Sequence, residues 1–378
     1  MLSIVNWLPF IDNSIVRLLK YIIFIYIFLF EISTFGIRYE SNYLSPKGLV
    51  LILVLMLPGM ALSIEANAVV DILIPFLVLW IFNYKKQFYY KVLYNASFVT
   101  ALICVFSIIS FNTGFFNVQA NGPWNSTFGD AGFGGYRTGY SNSLFLFIPF
   151  LVFWHRVKRK SLVSYETLVI ILLIYAQYIS GGRAGVIASL AVVLIWLRTP
   201  LIFKGAFLIL FLFLSQLENV QEQFRVADID GYESDLNSIT SGRVFLNNYY
   251  FDKFIERPIF GYGFGEKHEM VTNVEAHIVW LRNVIDGGII YLLFLFYIFI
   301  EIFRKGMFNL TLTIEEKKLF ASLFFATLII TFLEPNYLIG SVQGEIVYWI
   351  LISILLKTHN RISEDQFYED MSNEYVNS

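Results

Sequence analysis

Apolar and polar positions follow one another in long blocks along this chain. Apolar runs fall at about 18–36, 48–64, 66–83, 92–111, 141–155, 165–180, 184–197, 201–217, 285–303, 318–334 and 344–357, separated by polar, glycine-rich or charged stretches. A helix needs about 20 apolar residues to cross a hydrocarbon core about 30 Å thick. The pattern therefore predicts an all-α polytopic membrane protein with about eleven (ten to twelve) transmembrane helices. Where Lys204 falls within a run, its amine must snorkel to a surface.

Composition sharpens that picture. The 378 residues are 57% hydrophobic and only 15% charged, with a mean hydropathy of +0.63. A soluble domain does not combine that much apolar surface with so little charge. The 39 Phe, 23 Tyr and 7 Trp fit a lipid setting, in which tyrosine and tryptophan gather at the interfaces. A formal net charge of −2 points away from nucleic acid. Cys104, the one cysteine, leaves no disulfide framework and no cysteine-based metal site. The N-terminal region lacks the pattern of a cleaved signal, so "YIIFIYIFLF" reads as a retained helix.

Lysine and arginine set the orientation, since short cytoplasmic loops are enriched in both. "NYKKQFYYK" (83–91), "RVKRK" (156–160), Arg198 with Lys204, "RKG" (304–306) and "LLKTHNR" (355–361) read as cytoplasmic. Segments 112–140, 180–184, 218–284 and 335–343 then face outward. The alternation holds from residue 83 onward, whereas Arg17 and Lys20 place the N-terminus inside, against an eleven-span count. The chain thus divides into a bundle over 1–217, a large periplasmic loop over 218–284, three last helices over 285–357 and a polar, acidic cytoplasmic tail over 358–378.

Two outer segments can build a site. The first, 112–140, is rich in glycine and asparagine and reads as an irregular loop. The second carries "TSGRVFLNNYYFDKFIER", a predicted helix that Thr240 or Ser241 caps and Pro258 ends. The glycine turn "PIFGYGFGE" follows, and "EAHIVWLRNVIDGG" leads back into the membrane.

The candidate chemistry centres on arginine. In "ISGGRAGV" (179–186), Arg183 falls at the N-terminus of an inward-going helix, at the outer face. Positive charge there adds to the positive end of the helix dipole and runs against the inward bias of basic residues. An anion resolves the conflict: free N–H groups, the dipole and a guanidinium fork together suit a phosphate, and Gly182 lets a bulky group approach. An interfacial anchor reaching lipid headgroups is the other reading of the same residues.

Arg243 repeats the arrangement in the large loop, and Arg137 is the basic residue of the first loop; either also suits a surface ion pair. If 275–288 forms one helix, Glu275, Arg282 and Asp286 share a face, with His277 on the other side. His277 is then either a core histidine or a general base. Asp228 and Asp230 could ligate a divalent cation, but their spacing is not that of a known calcium loop, and no cofactor is expected. No phosphate-binding loop of the nucleotide-driven pumps is present. Ionisable residues such as Glu31, Glu65, Glu301, Glu334 and Glu345 sit near span ends, with Asp71 nearest a middle, which weakens an ion-coupled transporter reading.

"SGGRAG" (180–185), "SGRVFLNNYYFDKFIERPIFGYGFGE" (241–266) and "AHIVWLRNVIDGGIIYLL" (276–293), taken in order, resemble the O-antigen polymerase and ligase superfamily of bacterial surface-polysaccharide assembly. Ile278 stands after His277 where the family commonly has asparagine, and Gly287–Gly288 are adjacent where its glycines are spaced. The resemblance implies a glycosyltransferase of the bacterial inner membrane whose site faces the periplasm. Its donor would be an undecaprenyl-diphosphate-linked oligosaccharide, with a flippase and chain-length regulator proteins as partners. Repeat-unit polymerisation is the favoured activity. Ligation of glycan to lipid A–core and flipping of lipid-linked oligosaccharide are the alternatives. Arg183 and Arg243 would hold the diphosphate and His277 would take the acceptor proton, with Glu275 or Glu266 as substitutes. Arg137, Gly182, Gly261, Gly263 and Arg282 would line the substrate site.

Overall fold

The structure, a computed structural model, describes residues 22, 25–26, 29–30, 33, 54, 57, 86–112, 146–157, 164–180, 182–196, 243–263, 278–310, 312–333, 348–349, 352–353 and 355–356. Among these residues there is helix and no strand. The delimited helices are α1 (Lys86–Asn112), α2 (Ile148–Val157), α3 (Tyr165–Ile179), α4 (Arg183–Trp196), α5 (Arg243–Glu256), α6 (Val279–Met307) and α7 (Ile314–Leu333). The predicted spans at 66–83 and 201–217, the tail at 358–378 and most of both outer segments lie outside the described residues.

Local chemistry explains where these helices begin. Ser164 has extended backbone, and its Oγ accepts the Thr167 amide at 3.3 Å, an N-cap interaction worth about 1 kcal/mol. Thr313 and Glu316 form a reciprocal capping box ahead of α7. The Glu316 amide donates to Thr313 Oγ1 at 3.2 Å, and the Thr313 amide donates to Glu316 Oε2 at 2.9 Å. This box starts α7 at Ile314, ahead of the apolar run predicted from 318, because a charged first turn is helical without being apolar. Within the run read at 141–155, Leu146 and Phe147 form a turn and α2 begins at Ile148, while residues 141–145 lie outside the described residues.

The helices are apolar on the outside and partly polar on the inside. Along α1, Ser97, Thr100, Ala101 and Cys104 are buried while Val92, Val99, Leu102 and Phe106 are exposed. Along α3, Glu166 and Gln177 are buried while Leu168, Ile171 and Tyr175 are exposed. A helix on a water-soluble protein has the opposite arrangement. Small and polar residues inside with large apolar ones outside suit packing in lipid, where hydrophobic burial does not drive association. Two helices, α1 through Tyr90–Ser107 and α6, are long and apolar enough to cross a membrane.

One end of the bundle gathers the starts of α1, α3 and α7 and the ends of α2 and α4. Tyr90 donates to Glu316 Oε1 at 2.5 Å, Tyr94 donates to Glu166 Oε1 at 3.1 Å, and Ser164 Oγ lies 3.0 Å from His155 Nδ1. The Lys318 amine stands 5.8 Å over the Trp196 ring. The end of α6, with Arg304 and Lys305, reaches the same level, because Gly306 lies against the Phe320 ring and Phe303 packs on Phe324 at 5.2 Å. Lys91, Arg156, Lys317 and Lys318 belong to these helix ends too. The starts of α1, α3 and α7 and the ends of α2, α4 and α6 thus lie at one end of the bundle.

Candidate functional site

The opposite end is built around a reversal in α6. Gly288 has φ 72° and ψ −177°, outside helical geometry. In an unbroken helix Trp280 and Phe296 would stand about 24 Å apart along the axis. Their rings instead stack with centroids 4.6 Å apart, and Trp280 meets Phe299 at 5.2 Å. Val279–Met307 is therefore no single rod. A first arm ending at Gly287 folds back on a second arm, Ile289–Met307, about 28 Å long. The second arm alone matches the thickness of a hydrocarbon core, and the expectation of a plain crossing over 285–303 is corrected accordingly.

Breaking the helix orphans its backbone groups, and the glycine turn after α5 satisfies them. The Ile285 carbonyl accepts from the Tyr262 amide at 2.8 Å, and the Asp286 carbonyl accepts from the Gly263 amide at 2.9 Å. The Ile289 amide donates to the Pro258 carbonyl at 2.8 Å. In a continuous helix Ile285 and Ile289 would have bonded to each other. The contact leaves no room for side chains. Gly261 has φ 68°, and a Cβ there would stand 2.6 Å from the Asp286 carbonyl oxygen. A Cβ on Gly288 would collide with the Ile259 carbonyl.

Side chains secure the same junction. Tyr250, Tyr262 and Ile285 form a small buried cluster against which Tyr249, Phe254 and Leu281 pack. Tyr262 donates to Glu256 Oε2 at 2.5 Å, and Lys253 donates to Glu256 Oε1 at 2.5 Å. The Arg257 guanidinium stands 4.6 Å over the Tyr262 ring. The hydrogen bond from Lys253, then that from Tyr262, holds the Glu256 carboxyl below its usual range. Glu256 in turn raises the Lys253 amine, while burial followed by the bond to Glu256 raises the Tyr262 phenol. Lys253, Glu256, Arg257 and Tyr262 were not among the residues singled out from the sequence. The signal available was the run "KFIERPIFGY" leading into the turn.

The predicted site residues fall as follows. Arg183 is the first residue of α4 and Arg243 the first residue of α5. Gly182 is buried, and its carbonyl accepts the Val186 amide at 3.3 Å, which closes the first turn of α4. Gly261 and Gly263 lie in the docked turn, and Arg282 lies on the first arm with Nε 3.9 Å from Asp286 Oδ2. That arm begins at Val279, with Ile278 extended ahead of it, so the helix does not run from 275. Arg137, Asp228, Asp230, Glu266, Glu275 and His277 lie outside the described residues.

Helix direction brings the start of α4 to this end. From Trp196 beneath Lys318, α4 rises about 20 Å to Arg183, and α7 rises the same distance to Thr331. Thr331 Oγ1 accepts the Trp280 indole N–H at 2.9 Å, which ties that level to the first arm. The start of α4, the folded-back arm and the docked α5 turn therefore share the end of the bundle remote from Lys318 and Arg304. Backbone amides at a helix start, arginine and glycine backbone are groups that bind anions, and Arg183 and Arg243 are the first residues of their helices. Compared with known proteins, the chain matches no protein-family model and no curated protein.

Proposed function

We propose that the chain is a glycosyltransferase that polymerises polyprenyl-diphosphate-linked oligosaccharide repeat units at the outer face of a bacterial inner membrane. The observation that carries this reading is the docking of the 258–263 turn into the reversal at Gly288, at the end of the bundle where α4 begins on Arg183. It joins two of the three motifs that resemble the polymerase and ligase superfamily and leaves the third at the same level. The eleven-span bundle, the periplasmic loop and the outward orientation belong to the same reading.

In the reaction, an acceptor sugar hydroxyl attacks the anomeric carbon of the donor. The bond from that carbon to the diphosphate oxygen breaks, and the lipid diphosphate leaves with the electron pair. Negative charge grows on the diphosphate as the bond lengthens, so cations placed for it favour the transition state over the ground state. Arg183 and Arg243 take that role, and His277 accepts the hydroxyl proton. Arg137, Gly182, Glu266, Glu275 and Arg282 line the donor and acceptor sites.

The test is a surface-glycan assay on Arg183→Ala and Arg243→Ala, with protein level checked in the membrane. Loss of long glycan is expected from each, with Arg→Lys restoring little because a lysine cannot bind a diphosphate through a planar fork. Normal glycan length and amount would overturn the assignment. Deleting the gene separates the two transfer reactions: single repeat units on core mark a polymerase, and unmodified core marks a ligase.

A further inference from the structure

The geometry points to a second attachment to the bilayer: α5 and its turn lie in the outer headgroup boundary, with Phe251, Ile255, Ile259 and Phe260 seated among the acyl chains. The apolar sector of α5 is wider than α6 can cover. Tyr250 and Phe254 pack against the first arm, while Phe251 and Ile255, the next positions round the helix, are 53% and 59% exposed. Asp252 and Glu256, also exposed, follow next round the helix, so the exposed surface passes from an apolar edge to a polar one. The turn extends that edge with Ile259 and Phe260, 53% and 46% exposed.

Depth identifies the occupant. The Pro258 carbonyl is bonded to the amide of Ile289, the first residue of the second arm. That arm spans about 28 Å, close to a hydrocarbon thickness, and its other end carries Arg304 and Lys305. Ile289 is thus where the crossing arm leaves the hydrocarbon, and Ile259 and Phe260 are held beside it. Apolar side chains at this depth meet lipid, and the exposed Arg257, its guanidinium over the Tyr262 ring, puts a positive charge at the same level, as in helices that lie in an interface. The inference rests on the second arm crossing the bilayer and is independent of the glycosyl-transfer reading.

The experiment uses the full chain in liposomes of phosphatidylethanolamine and phosphatidylglycerol, with Cys104→Ala removing the one native thiol. Single cysteines at Ile255, Phe260, Asp252 and Tyr297 carry an environment-sensitive fluorophore. Quenching by nitroxide lipids labelled near the headgroup end of the acyl chain is compared with quenching by aqueous iodide. The lipid-to-iodide quenching ratio should be several-fold higher at Ile255 and Phe260 than at Asp252. Iodide access at Ile255 and Phe260 equal to that at Asp252 would overturn the inference, as would shielding from both quenchers, which would mark a protein partner or a second copy on this face. Tyr297, exposed on the second arm, reports the crossing itself; iodide quenching there would overturn the inference at its base.

Discussion

A Cβ on Gly288 has nowhere to go, since its backbone lies where side chains are rarely found and the Ile259 carbonyl occupies the space. Gly288→Ala is expected to cost about 3 kcal/mol or more, part from the dihedral and part from displacing the turn. Thermal unfolding in detergent measures it, and an unshifted midpoint would show that the reversal does not depend on this residue. Glu256 supplies a pH dependence. Its folded pKa is depressed, so its contribution is present above the unfolded value and is lost as pH falls through the folded one. The protection of the Tyr262 and Gly263 amides from hydrogen exchange, taken relative to the intrinsic rate at each pH, should therefore fall only at pH below the ordinary carboxylate range. Glu256→Gln should flatten that profile, and an unchanged profile would remove Glu256 as its source.

At the scale of elements, aromatic contact and a buried hydrogen bond add to the docked turn in holding α6 folded. Trp280 stacks on Phe296, meets Phe299 edge-on and donates to Thr331 of α7. Trp280→Ala should destabilise by about 3–5 kcal/mol, as for other large aromatic truncations. Trp280→Phe keeps a ring for stacking and should cost about 1 kcal/mol, the size of one hydrogen bond between membrane helices. Equal losses from the two would mean that the ring contacts contribute nothing. At the other end, Tyr90→Phe removes a donor from the buried Glu316 carboxylate, for an expected cost of about 1–3 kcal/mol in the same unfolding measurement.

For the whole molecule, helix direction separates two ends of different character. One has Lys318, Arg304 and the tyrosine–carboxylate contacts; the other has the docked turn and the start of α4. Under the proposed function the first faces the cytoplasm, as the lysine- and arginine-rich loops would suggest. With Cys104→Ala as background, a membrane-impermeant maleimide should label Arg257→Cys from outside intact cells. It should reach Arg304→Cys only after permeabilisation. The reverse result would put the docked turn in the cytoplasm and overturn the proposed transfer from a donor at the outer face.

The apolar runs by themselves determined that the described part of the chain is helical and broadly where its helices lie, because lipid demands uninterrupted hydrogen-bonded helix and apolar exteriors. The starts of α4 and α5 at Arg183 and Arg243, and the end of α5 before Pro258, were also legible, since glycines and a proline mark them locally. What the run of apolar letters concealed was the reversal at Gly288, because both arms of α6 are apolar and helical and differ from one rod at a single residue. Only the tertiary structure decided that the 258–263 turn fills this break, for the hydrogen bonds that stabilise it join backbone groups more than twenty residues apart in the chain. Side-chain sequence does not encode such a pairing directly. It shows only in the glycines whose missing Cβ atoms allow the two backbones to touch.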